Sequence, residues 1–75
     1  MTILGIDPGT RVTGYGVVRV DGMRFHRIMS GVVKTAASLP LAERLHTIYT
    51  TLTEIIHEHS PAVCSIETAF YGNSF

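Results

Sequence analysis

Leu41, Leu45, Ile48, Leu52 and Ile55 recur at steps of four, three, four and three, which places them on one face of a helix. This stripe stands between two compact apolar runs, Thr2-Ile3-Leu4-Gly5-Ile6 and Ala62-Val63-Cys64-Ser65-Ile66. Strand, helix and strand in that order form a parallel pair joined by a right-handed crossover. The pattern predicts a helix near residues 40–59, with Pro40 in its first turn and Ser60-Pro61 as its stop. Thr47, Thr50, Thr51 and Thr53 are weak helix formers, so this helix needs its stripe packed on a sheet. Both flanking runs are short and almost wholly apolar, the form taken by strands covered on both faces.

The stretch before the helix reads as two further strands. Asp7-Pro8-Gly9 closes the first run, because proline cannot donate to a ladder and glycine permits a tight turn. Thr13 to Val20 supplies the second strand. Asp21-Gly22 is a two-residue hairpin turn, and Met23 to Val33 returns with Phe25, Ile28, Val32 and Val33 inside it. The expected architecture is α/β: three antiparallel strands in a meander, a crossover helix, then a parallel strand.

Composition narrows the function classes. Hydrophobic residues make up 45% of the chain and charged residues 16%, too apolar for a disordered tail and too lightly charged for a basic nucleic-acid arm. Six Lys plus Arg balance six Asp plus Glu, so bulk charge points to no partner. One cysteine, Cys64, excludes an internal disulfide, and its apolar neighbours give it the role of a small buried hydrophobe. His26, His46, His57 and His59 have no companion ligands at zinc spacing. No apolar run approaches the ~20 residues that cross a bilayer, and the amino terminus lacks the charged region of a signal peptide. A cytoplasmic chain is expected.

The chemistry lies at the strand ends. Both apolar runs finish in a carboxylate, Ile6-Asp7 and Ile66-Glu67. If the two strands are parallel neighbours, these acids meet about 4.8 Å apart at the edge where open α/β sheets bind ligands. Two like charges so placed raise one another's proton affinity unless a cation lies between them. A hard divalent ion relieves the repulsion, and Mg²⁺ typically keeps several waters that a substrate phosphate can displace. The pair therefore reads as half of a metal-dependent phosphoryl-transfer site. The plainer alternative makes Asp7 a turn cap and Glu67 the start of a solvated loop.

Gly5-Ile6-Asp7-Pro8-Gly9-Thr10, followed by Gly14-Tyr15-Gly16, resembles the opening of the RuvC family of Holliday-junction endonucleases. Ile66-Glu67-Thr68-Ala69-Phe70 is similar to that family's second acidic motif, and Leu39-Pro40, Arg44-Leu45, Ile48-Tyr49 and Thr53-Glu54-Ile55-Ile56 fit its helix. The resemblance covers the whole chain but only the amino-terminal portion, here residues 1–75, of one RNase H-like nuclease domain. It implies an RNase H-like mixed sheet and Mg²⁺-dependent cutting of four-way DNA junctions, with Mn²⁺ able to substitute. Asp7 matches the first of four family acids and Glu67 the second, so both are expected as catalytic metal ligands. The other two acids are expected after Phe75, which implies that these residues alone are inactive. Phe70 matches an aromatic that stacks on junction bases. The resemblance further implies a homodimer and the branch-migration motor proteins RuvA and RuvB as partners.

Further residues offer DNA contact. Tyr71, beside Phe70, offers a second stacking ring, and Arg11 on the first turn can meet a phosphate. Arg19, Arg24 and Arg27 on the hairpin read as a solubilising surface. Three rival readings stay open. YqgF-type resolvase-like proteins share the fold and first motif. Sugar kinases and actin-like ATPases begin with a similar strand and an Asp-x-Gly-Thr phosphate turn. The third is an inert structural piece, with one helix covering one face of its sheet.

Overall fold

Three strands at the amino terminus pair in antiparallel succession in the computed structural model, which describes residues 1–67. They are β1 (Thr2–Asp7), β2 (Val12–Asp21) and β3 (Arg24–Lys34). Helix α1 (Leu41–His59) then crosses over, and β4 (Val63–Ile66) returns parallel to β1. The sheet order is β3-β2-β1-β4, the mixed sheet expected from the sequence. Boundaries agree within a residue or two, with one shift at the hairpin. Asp21 pairs with Arg24, so the two-residue turn is Gly22-Met23 rather than Asp21-Gly22. Gly22 at φ 60° in the first loop position is the II′ pattern, which a glycine adopts at no steric cost.

Helix α1 begins at Pro40, whose carbonyl accepts from the amides of Glu43 at 3.0 Å and Arg44 at 3.1 Å. It ends at Ser60, which turns left-handed at φ 45° and donates its amide to the Ile56 carbonyl at 2.8 Å. Pro61 follows and cannot extend the helix.

The core lies between α1 and one face of the sheet. Leu4 and Val17 face each other across β1 and β2, both fully buried, and Ile55 caps them from the helix. Ile6, Tyr15, Met29 and Leu52 pack around this cluster. Fully burying such a side chain contributes about 1.5–3 kcal/mol. The helical stripe is core only toward its carboxyl end. Leu41 and Leu45 are half exposed, and Leu45 with Ile48 walls a hollow of about 320 Å³ beside the Pro8-Gly9-Thr10 turn.

The structure corrects two expectations of burial. All four residues of β4 are exposed, Ile66 by 61% and Val63 by 43%, and Cys64 is exposed rather than buried. β4 is an edge strand, and one helix about 10 Å wide cannot cover four strands spaced about 4.8 Å apart. All four apolar residues placed in the third strand lie in β3, where Val33 is buried and Phe25, Ile28 and Val32 are exposed. A bulge contributes: Val17 pairs with Met29 and Val18 with Arg27, leaving Ile28 unpaired.

Candidate functional site

Asp7 closes β1, and Glu67 comes immediately after β4. Ile6 and Ile66 are paired in register, and the Glu67 amide donates to the Ile6 carbonyl at 2.9 Å. The next residue on each strand is therefore an acid, at the same level on strands about 4.8 Å apart. Both acids are exposed, and both line one open cleft of about 770 Å³. The structure brings together the two carboxylates singled out from the sequence, sixty positions apart.

The cleft lies on the face away from α1. A Cβ added at Gly14 would stand 3.8 Å from the Asp7 Cβ, which puts the Asp7 side chain on the same face as Gly14. One level along the strands, Ser65, Gly5, Gly16 and Ser30 pair successively across the whole sheet. The floor beside the acids is therefore nearly bare backbone. A flat polar surface of this kind admits an extended ligand rather than enclosing a small one.

The turn after Asp7 is held from both sides. A Cβ on Gly9 would come within 2.3 Å of the Val12 carbonyl oxygen, so only glycine fits. Thr13, almost fully buried, donates its hydroxyl hydrogen to the Gly9 carbonyl and accepts from the Gly9 amide. The Thr35 hydroxyl donates to the Thr10 carbonyl, and the Thr35 amide to the Arg11 carbonyl. Arg11 is exposed on this turn, with no hydrogen bond or ion pair to its side chain among the described residues. Phe70 and Tyr71 lie outside the described residues.

Two residues take places that the sequence reading did not give them. The bulge brings Arg27 opposite Val18, and Arg27 Nη1 donates to Ser30 Oγ at 2.8 Å, at the β3 end of the small-residue row. Strict alternation would send Arg27 to the other face, and nothing local in the sequence marks the bulge. Thr13 reads simply as a β-former. Its spacing from Asp-Pro-Gly was the available signal.

Among the described residues no group of three or more His, Cys, Asp or Glu side chains converges. The donor set is two hard carboxylates facing open solvent. That suits a Mg²⁺-type ion, which accepts one or two carboxylates and fills its remaining positions with water and substrate phosphate.

The family model described as crossover junction endodeoxyribonuclease RuvC matches residues 3–75. The chain belongs to the RuvC family. It is 42% identical over 74 residues to the crossover junction endodeoxyribonuclease RuvC of Pelotomaculum thermopropionicum, covering 99% of this chain and 45% of that protein. It is 50% identical over 74 residues to the RuvC of an Anaeromyxobacter species, covering 99% of this chain and 36% of that one. Among solved structures, Thermus thermophilus RuvC in complex with a Holliday junction substrate superimposes with a TM-score of 0.89. That match has 32% identity and covers 99% of this chain and 48% of that one. The chain thus spans less than half the length of these RuvC relatives and corresponds to their amino-terminal part. The fold is the RNase H-like one, truncated relative to these proteins. Among the rival readings of the first motif, the family match selects RuvC.

Proposed function

We propose that residues 1–75 form the amino-terminal portion of one RNase H-like nuclease domain. The complete protein is then a Mg²⁺-dependent endonuclease that resolves four-way DNA junctions by phosphodiester hydrolysis. The observation that carries this reading is the Ile6–Ile66 register, which sets Asp7 and Glu67 side by side at one cleft. The likeness to a RuvC bound to junction DNA supports the choice of substrate.

Asp7 and Glu67 hold the cation, each through carboxylate oxygens. When bound, the ion supplies positive charge at the scissile phosphate and acidifies water for the attack. The chain's own residues do the positioning. The glycine floor leaves room for a sugar–phosphate backbone to lie close to the acids. Arg11, Phe70 and Tyr71 contact the DNA, Arg11 through phosphate and the two rings by stacking, worth about 1–3 kcal/mol per base. Arg27 supplies a further positive charge at the far end of the row. Residues 1–75 alone are inactive, since two acids do not complete the four-acid set. The complete protein works as a homodimer in the cytoplasm, alongside RuvA and RuvB.

The test fuses residues 1–75 to the remainder of a RuvC relative and assays cleavage of a four-way junction beside linear duplex. Mg²⁺-dependent, junction-selective cutting is expected, with Mn²⁺ as an alternative ion. Equal cutting of linear duplex, or no requirement for a divalent ion, overturns the reading. Thermal stabilisation by nucleotide in place of metal would favour the kinase-like alternative.

A further inference from the structure

Thr13 is 1% exposed, a hydroxyl buried at the end of the sheet, and the reaction outlined above gives it no task. Its Oγ1 donates to the Gly9 carbonyl at 2.6 Å and accepts from the Gly9 amide at 3.2 Å. One side chain thereby satisfies both polar backbone groups of a single residue. From the other direction Gly9 is pressed against β2, with space for no Cβ before the Val12 carbonyl. Gly9 therefore has one place to be.

That place governs Asp7. Between Asp7 and Gly9 there is only Pro8, whose ring fixes its own φ near −65° and restricts the residue before it to extended backbone. On its other side Asp7 is paired with Gly14, the neighbour of Thr13. Ladder and clasp thus hold the acid's backbone from both directions, while Glu67 is tied through its amide to Ile6. A two-donor cation site depends on the relative direction of its carboxylates. A turn free to rock at Gly9 would let one of them swing.

We propose that Thr13 is a positioning residue for the cation site. Its hydroxyl clasps the Asp7-Pro8-Gly9 turn and sets the direction in which the Asp7 carboxylate leaves β1 toward the place shared with Glu67. The inference rests on the metal-nuclease reading and adds to it a residue that touches neither cation nor DNA.

The experiment uses the complete fused protein and compares Thr13→Val, nearly isosteric but unable to hydrogen-bond, with Thr13→Ser, which keeps the hydroxyl. Two quantities are read: Mn²⁺ affinity by calorimetry without DNA, and the Mg²⁺ concentration giving half-maximal junction cleavage. Loss of outer-shell partners of metal ligands costs about 10–100-fold in affinity or activity. Thr13→Val is expected to weaken both quantities by about 10-fold or more, with Thr13→Ser within about twofold of the parent. Unchanged Mn²⁺ affinity in Thr13→Val, whatever its melting temperature, overturns the proposal. So does a Thr13→Ser protein as weak as Thr13→Val. Should Thr13→Val not fold, Thr13→Ala removes the hydroxyl without added bulk, and parental Mn²⁺ affinity there overturns the proposal equally. A parent that binds no Mn²⁺ and cuts nothing refutes the nuclease reading itself, and the clasp's role with it.

Discussion

The Glu67 amide donates to the Ile6 carbonyl at 2.9 Å, so the second acid is fixed by the residue that precedes the first. That bond continues the parallel ladder of β1 and β4, in which Gly5 pairs with Ser65 and Ile6 with Ile66. Backbone register thus puts the two carboxylates at the same level on neighbouring strands. A one-residue slip of β4 would carry Glu67 to the opposite face.

Asp7→Asn keeps the shape of the side chain and removes its charge. In the complete protein cleavage should fall by about 10²–10³-fold, the scale seen when one electrostatic contributor to a transition state is removed. Junction affinity by gel shift should fall little. A variant that cuts at the parental rate would show that Asp7 holds no cation.

Glu67→Gln tests the other donor directly. Mn²⁺ affinity measured without DNA should fall, and the cleavage that remains should need more Mg²⁺. An unaltered binding isotherm would exclude Glu67 from the site.

Leu4 is fully buried against Val17 and Ile55. Leu4→Ala removes core volume where sheet and helix meet and should cost about 2–5 kcal/mol in denaturant unfolding of the complete protein. A loss below 1 kcal/mol would mean that the cluster is not the core.

Ser60 adopts φ 45° at the helix end, a region that costs a residue with a Cβ about 1–2 kcal/mol. Ser60→Gly is expected to stabilise by up to about 1 kcal/mol, because part of that relief is offset by the greater freedom of glycine when unfolded. The melting temperature is the readout, and a fall would contradict the left-handed cap.

Among the described residues the outer edge of β4 has no partner strand, and Ile66 and Val63 are open to solvent. Exposed apolar edge strands template further pairing, so self-association is expected at micromolar concentration. Val63→Lys should reduce it. Sedimentation as a monodisperse monomer before any substitution would count against the idea.

Much of this was legible in the residues. The stripe from Leu41 to Ile55, the two apolar runs and the turn residues specify element order, because periodicity and turn chemistry are local signals. Asp7 and Glu67 stood out because each ends such a run. What stayed hidden depends on contacts between distant segments. The composition of Val63-Cys64-Ser65-Ile66 suggests full burial, yet strand order, which no local pattern encodes, leaves that run at the edge. The bulge at Val17/Val18 shows itself only when β2 and β3 are paired, and it is what brings Arg27 to Ser30. Thr13 looks like any strand threonine until the chain folds back and brings Gly9 to its hydroxyl.

The position of β4 has one further consequence. It is a peripheral strand of four residues, and segments of that kind detach at far lower free energy than whole-molecule unfolding. Detachment would carry Glu67 away from Asp7 while the β1–β3 meander stayed paired. The donor pair would then come and go in an equilibrium of its own. A cation bridging the two acids binds only the closed form, so saturating metal should slow amide exchange in β4 first, by linkage.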